Sequence, residues 1–572
     1  MGIPLSVGQY LPPPCEFNDV TLNFTVTSAG RQFDRLGLMF FGDTEIFRTS
    51  TAEPTATGIQ WTYLKDMSAY LTLFKKRQKI IFDLGNLIDD TYTAPFNATL
   101  TATFTRNVNQ SEAAHVIIPI SSHRSSMEQP SAYSLPHDNA TNTVQIPRSV
   151  RRAIVSISAC GQAREEFWFG NVLSSNTETF HDTIEPLLGH SPFREVQLII
   201  DGNLAGVVWP FPIIFTGGVA PGLWRPIVGL DAFDLREREI DITPWLTLLC
   251  DGADAGHSFE IRVAGLQDDG VGHAELSSTV DSSWIVTGKI FLWLDEPGSI
   301  TGGSPPVVIR PDPIVTVSSL VHKDGAGDNE SLSYEVHVSR SLSIVSAIFD
   351  NPTPRFVSWT QNLNYTHYGN FTKRGVQQSI LQVTHGIDTS DSGYTARYEF
   401  PVKLNTSFAS DPSNGTFSID AQIRRGLDLT VIGPGVFRQA IQGIRLPASH
   451  VVELNTVQNG SAHYFSGSPT ANATSFGITE QKFAFGSLIP RSADDFKPQK
   501  YEYSRHVLAA NGTVRADDEK SLDAPHWVSF CAMQTASGSQ RNVVYARPDV
   551  KSILGRGPKH SSEVAEDDLH VA

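Results

Sequence analysis

Along most of this chain, apolar residues come in short alternating runs and not at helical spacing. Residues 20–26, 35–41, 79–84, 99–104, 196–200, 240–242 and 259–263 are β-branched or alternate apolar with polar, the period-2 pattern of strands that bury one face. Gly, Pro, Asn and Asp break these runs roughly every 8–12 residues, as in all-β sandwiches and barrels. The pattern predicts a mainly β chain.

Two stretches repeat one design. Phe33-Asp34-Arg35 leads into LGLMFF, the turn Gly42-Asp43 and a second strand. Phe193-Arg194-Glu195 leads into VQLII, the turn Asp201-Gly202 and a second strand. An Asp-Gly pair favours a type I′ hairpin, whose two central residues need positive φ. Downstream, KIIFDLGNLI is matched with REIDITPWL, each ahead of a further strand, LTATF or FEIRV. The reading is two related antiparallel, jelly-roll-like sandwiches, 15–145 and 146–300, after an N-terminal remnant 1–14. Within it, the polar stretch 121–147 reads as a surface linker. Gly and Pro in 301–313 mark a second linker. A β-rich region, 314–548, and a polar, disordered tail, 549–572, complete the chain.

Composition narrows the function. A chain of 572 residues needs more than one core, because single cores stop growing near ~250–300 residues. Its net charge of −16 leaves no electrostatic footprint for a nucleic-acid partner. No apolar run reaches the ~18–20 residues that cross a bilayer, so no membrane partner is expected either. Asn-X-Ser/Thr sequons stand at Asn23, Asn97, Asn109, Asn139, Asn329, Asn364, Asn370, Asn405, Asn414, Asn459, Asn472 and Asn511, against roughly four expected by chance. Exported chains tolerate such sites because the glycan sits on polar surface. A secreted, secretory-pathway or vacuolar protein is therefore expected, with its export signal missing from this sequence. Cys15, Cys160, Cys250 and Cys531 allow three full pairings, and spacing decides none.

Candidate chemistry concentrates in 161–171, GQAREEFWFGN, and in 193–234. Trp168, Trp209 and Trp224 occur there with Glu165, Glu166, Glu195 and Arg225. Indoles stack on the C–H faces of sugars and carboxylates bind hydroxyls, so these residues are candidates for a sugar cleft. The same tryptophans suit a sandwich core equally well. His115, His123, His137 and His181 lack ligand spacing, so no metal and no cofactor is expected. A GxSxG elbow and a recognisable cysteine nucleophile are both absent.

The string PFREVQLIIDGNLAGVVWPFPIIFTGGVAPGLWRP resembles the characteristic core of the peptide:N-glycanase A family. RQFDRLGLMFFGDTEIFRTSTAEPT and IIFDLGNLIDDTYT resemble its N-terminal signatures, and the similarity runs from about Pro12 to Arg547. The resemblance implies a secreted, acid-active, metal-independent glycoamidase. Its substrates would be N-glycosylated peptides or glycoproteins. It would hydrolyse the side-chain amide joining asparagine to N-acetylglucosamine, releasing the glycan and leaving aspartate. That reaction needs a carboxylate for water, donors for the developing oxyanion and an acid for the leaving nitrogen.

Bacterial N-glycanases, also built of two sandwiches, place an aspartate in a Trp-Asp-Arg motif. Its cognate here is similar: Phe33-Asp34-Arg35, followed by Glu45-Ile46-Phe47-Arg48. The resemblance then gives Asp34 contact with the glycosylamide and water, Arg35 an orienting role, and Arg225 a substrate contact. Two departures stand out. Phe33 replaces the tryptophan, and Ala102-Thr103 occupy the place of a second carboxylate near LTATF. A third carboxylate is Glu195 or Glu166, both of which stay open. A glycoside hydrolase and a non-catalytic glycan-binding module remain as alternatives.

Overall fold

The computed structural model describes residues 5–437, apart from 107–111, 253–254, 351–352 and 412, and then 451–467, 473–488, 503–521 and 534–535. Among these residues strand accounts for 57% and helix for 6%, in keeping with the alternation. The tail 549–572, Cys531, Asn109 and Asn472 lie outside the described residues.

In the first half, Leu36–Phe41 forms a hairpin with Thr44–Ser50 and pairs on its other side with Gln78–Asp83. The facing sheet holds Asp19–Ser28 between Ile59–Asp66 and Asn97–Thr105. Its strand DVTLNFTVTS buries Val20, Leu22, Phe24 and Val26, which is the alternation that a half-buried strand requires. In the second half, Glu195–Ile200 pairs with Asn203–Val208 and His257–Asp268. There Val150–Gly161 lies between Arg238–Asp241 and Trp284–Leu294.

The six strands correspond one to one in order and in partner, so one topology is used twice. Even the hairpin irregularity recurs. The register slips between Met39 and Phe40 and again between Leu198 and Ile199, leaving Ile46 and Ala205 as the extra residues of a bulge. Asp201 (φ 46°) and Gly202 (φ 77°) form the turn with two positive φ values that their sequence predicts.

The pairing corrects the repeat as read from sequence. Gln78–Asp83 corresponds to His257–Asp268, not to REIDIT. The matching turns are 68–74, SAYLTLF, and 243–249, TPWLTLL. Asp66 accepts from the Ser68 N–H at 2.8 Å and Asp241 from the Thr243 N–H at 2.9 Å, so each turn starts on the same kind of cap. The division between the halves also moves. Val116–Ile120, Tyr133–Leu135 and Thr141–Val144 pair with Trp284–Leu294 and His257–Asp268, so 121–147 carries strands of the second half and is not a linker. Ser6–Tyr10 pairs with Gln78–Asp83, and Val307–Ile309 with Asn329–Asp350. Strands of three to five residues are too short to register as periodicity.

Val150–Gly161 and Trp284–Leu294 are buried on both faces. Ala153, Val155, Ile157, Ile290 and Leu292 face the second core, whereas Ile154, Phe291 and Trp293 join the core of the first half. Polar groups share that second face. Glu45 and Arg48 make two bonds of 2.8 Å, Thr287 donates to Glu45 at 2.7 Å, and Lys289 pairs with Glu237 at 2.6 Å. Such charges tolerate burial only when paired and hydrogen-bonded.

The C-terminal region forms an eleven-stranded sheet with strands as long as 22 residues. Its inner face serves as a polar bed for two loops of the second half. Gln361 bonds both the N–H and the C=O of Val207, at 2.8 and 2.9 Å. Tyr365 donates to Pro192 O at 2.6 Å, Arg425 to Pro212 O at 2.9 Å, and Thr479 to Leu223 O at 2.6 Å. Val207 stands on the open edge of the strand Asn203–Val208 and the other three carbonyls in loops, where no ladder partner reaches them, so these side chains satisfy them.

Candidate active site

Two loops from each half converge at the junction between the halves, and they are topological equivalents. Residues 29–35 and 162–194 enter the paired hairpins, and residues 51–58 and 209–237 leave them. The first loop of each pair carries Asp34 and Glu166, the second Glu53 and Arg225.

Asp34 sits on a clamped segment. Gln32 donates to Asn86 Oδ1 at 2.7 Å and to Leu87 O at 2.8 Å, while its own oxygen accepts from Arg35 at 2.8 Å and from Phe33 N–H at 3.2 Å. Arg35 N–H donates to Thr51 Oγ1 at 2.8 Å, and Thr51 N–H returns to Arg35 O at 2.9 Å. These bonds fix Asp34 relative to the loop that carries Glu53. Tyr92, half-buried, packs edge-on against Phe33 at 5.4 Å, with Arg31 and Arg35 at 5.9 and 5.7 Å from its ring centre.

Glu166 is placed by its neighbour. Arg194 holds the Glu165 carboxylate through two bonds of 2.6 and 2.8 Å, and Trp284 Nε1 adds a third at 2.6 Å. Phe167 and Trp168 are buried beyond it. With residues on both sides anchored, Glu166 is left half-buried beside Asp34 and Glu53, each of which feels its charge.

Glu53 is buried and pairs with Arg225 at 3.6 Å across the junction of the halves. Gly217 makes room for it. A Cβ at Gly217 would lie 2.2 Å from Glu53 Oε1, and the residue has φ +93°, a conformation open mainly to glycine.

Burial dominates the protonation of this group. Asp34 is held well above the ordinary carboxyl range by burial, then by the charges of Glu166 and Glu53, against the opposing pull of Arg35. Burial pushes Glu53 up to about 7 despite Arg225, and lowers Arg225 to about 10. Carboxylates this close cannot all ionise together, so at acidic pH the cluster holds protons that isolated carboxyls would have lost.

Of the residues singled out in the sequence, Asp34, Arg35, Glu166 and Arg225 come together. Glu195 does not join them: it is fully buried on its strand, where Trp209 Nε1 donates at 3.0 Å, Gln197 at 2.8 Å, and Arg340 pairs at 3.3 Å. Trp168, Trp209 and Trp224 are core residues. Trp168 packs on Trp284, Trp209 on Phe193, and Trp224 donates to Gly218 O at 2.7 Å. Their faces are covered by protein, so the expectation that they stack on sugar is corrected. Glu53 was missed. Its signal was an acid followed by proline in the small-residue stretch TSTAEPT, directly after a strand. It adds a carboxylate to the cluster, whereas Ala102-Thr103 hold none near LTATF.

No group of three or more potential metal ligands occurs among the described residues. Fold and site together define a β-protein with a carboxylate–arginine cluster at the seam of two like halves. A family model described as Peptide N-acetyl-beta-D-glucosaminyl asparaginase amidase A matches residues 1–305, and a PNGase_A C-terminal domain model matches 333–402. The chain is also 29% identical over 484 residues to the Peptide-N4-(N-acetyl-beta-glucosaminyl)asparagine amidase A of Prunus dulcis, covering 78% of this chain and 79% of that protein. The chain belongs to the peptide N-glycanase A family.

Proposed function

We propose that this protein hydrolyses the amide between asparagine and N-acetylglucosamine in N-glycosylated peptides or glycoproteins, releasing the glycan as a 1-amino sugar and leaving aspartate. Family membership carries the reaction; the cluster of Asp34, Glu53, Glu166 and Arg225 supports the assignment of residues. Water adds to the amide carbonyl, the C–N bond breaks, and the departing nitrogen takes a proton. Asp34, protonated at acidic pH by burial and by two acidic neighbours, supplies that proton. The family resemblance implies contact of Asp34 with both the glycosylamide and the water; its charge state favours the amide side. Glu166, half-buried opposite, takes the proton from water. Arg35 orients Asp34, and the Glu53–Arg225 pair shapes the substrate-facing wall.

No helix among the described residues is long and apolar enough to cross a membrane. The sequons support passage through the secretory pathway. The deciding experiment is mass spectrometry of a glycopeptide incubated with the protein near pH 5. Conversion of asparagine to aspartate is expected. Retention of one N-acetylglucosamine on asparagine identifies a glycoside hydrolase instead, and binding without turnover a glycan-binding module.

A further inference from the structure

The outer face of the large sheet has no protein partner among the described residues, yet it is neither flat nor uniformly polar. A concavity of about 620 Å³ crosses it, lined by Asn370, Asn405 and Asn511. A second, of about 530 Å³, adjoins it through the shared residues Asn405, Gln422, Ser461 and Ile478, and adds Asn459. All four asparagines head Asn-X-Ser/Thr sequons. Register explains the grouping. Asn370, Ser379, Asn405, Gln422, Ser461 and Ile478 are successive cross-strand partners and so lie in one row on one face. Beside them Tyr368, Leu381, Phe476 and Ile478 are 43–52% exposed, a run of apolar surface of the kind that calls for a cover.

The amide atoms are disposed for modification. Asn405 accepts from Ser379 Oγ at 2.7 Å, and Asn511 from Gly477 N–H at 3.0 Å, both through Oδ1. Among the described residues, Nδ2, the atom that bears an N-glycan, makes no protein bond in either residue. Asn329 and Asn414 differ: their Nδ2 groups already donate to Thr179 O at 2.8 Å and Asp411 Oδ2 at 2.6 Å, so a glycan there would crowd a nitrogen that is in use.

We infer that this face is covered by the chain's own N-linked glycans, and that the glycans on Asn370, Asn405 and Asn511 share one trough. The inference rests on export, not on the amidase reading. The donor is an oligosaccharide linked to a lipid pyrophosphate. The C1–O bond to pyrophosphate breaks, the Nδ2–C1 bond forms, the amide loses one proton, and the lipid pyrophosphate leaves. The proximal sugars then lay their C–H faces over Phe476 and Ile478 while the amide and hydroxyl row meets their polar groups.

The full chain, secreted from a glycosylating host, is digested and its peptides weighed. Glycan mass is expected at Asn370, Asn405 and Asn511. Unmodified asparagine at these three, with glycan at Asn23, Asn97 or Asn139, overturns the inference. The cover is tested by a hydrophobic dye. The native protein, trimmed by an endoglycosidase to a single sugar per site, is expected to bind no more dye than untrimmed protein, because the first sugar does the covering. Asn370→Gln/Asn405→Gln/Asn511→Gln protein is expected to bind more. Where that variant fails to fold, trimming in two stages, to one sugar and then to none with an amidase, gives the same comparison. Dye binding unchanged after complete removal overturns the cover.

Discussion

Glu53→Gln separates the charge of the buried wall from its shape. Glutamine keeps the size of glutamate and both hydrogen-bonding positions but never ionises. Glu53 is pushed from 4.5 up to about 7, chiefly by burial. A carboxyl whose folded value is raised binds its proton more tightly in the native state, so stability falls as pH rises from about 4.5 to about 7. Taking 1.36 kcal/mol for each tenfold change in proton affinity, the shift from 4.5 to about 7 costs the native wild type about 3 kcal/mol once Glu53 is fully ionised. Near pH 5 the wild-type side chain is neutral in the fold and resembles glutamine, so the two proteins should unfold together. Near pH 8 the glutamine protein should be the more stable by about 3 kcal/mol. Denaturant titrations of both proteins at the two pH values give the double difference directly. Parallel stability profiles, with no divergence between pH 5 and 8, would show that Glu53 ionises normally and that burial does not control this cluster.

Asp34→Asn and Glu166→Gln should each lower turnover on a glycopeptide by about 10²–10⁴-fold with little change in binding, since each removes one partner in proton transfer; normal turnover by either protein ends its assignment. Glu195→Gln should instead lower stability by about 3–5 kcal/mol, as for a broken buried pair, with turnover of the folded fraction retained. Activity should fall as pH rises through about 7, where Glu53 loses its proton and the protonated form of the cluster is depleted; a flat profile from pH 5 to 9 contradicts this. Gly217→Ala forces a residue into positive φ at a cost of about 1–2 kcal/mol and drives Cβ against Glu53, so turnover should drop with stability, and Glu53→Ala should partly restore the fold by making space.

Strand content was legible where a strand buries alternate residues, as 19–28 does with Val20, Leu22, Phe24 and Val26. The duplicated design was legible through its hairpins. Its later strands were not legible, because KIIFDL is alike in composition to REIDIT, whereas hydrogen bonding matches it with His257–Asp268. Asp34, Arg35 and Arg225 stood out through motifs. Glu53 did not, since a single acid beside proline carries no periodicity and its meaning comes from Arg225, far away in sequence. The tryptophans misled for a related reason. Burial of an indole depends on what the C-terminal sheet and the second core bring to it, as Tyr365 and Phe193 are brought to Trp209, and local sequence records none of that.

The duplication also accounts for how one scaffold yields an asymmetric site. Matching the hairpins through their shared bulge places Phe193 opposite Asp34 in the repeat and Arg194 opposite Arg35. The first copy keeps its acid at this position and lets Arg35 flank it. The second copy replaces the acid with Phe193, which packs against Trp209 and Tyr365, and turns Arg194 inward, fully buried, onto Glu165. That inward arginine is what fixes the turn bearing Glu166. An equivalent position thus carries a carboxylate in one half and an apolar packing residue in the other. The two carboxylates therefore reach the seam by different routes: Asp34 directly from its loop, Glu166 because Arg194 and Trp284 hold the residue before it. A site of this kind needs both halves in register, and bonds across the seam serve that register: Thr287 donates to Glu45 and Arg48 to Ile285 O, each at 2.7 Å, so a shifted docking would leave these buried polar groups without partners.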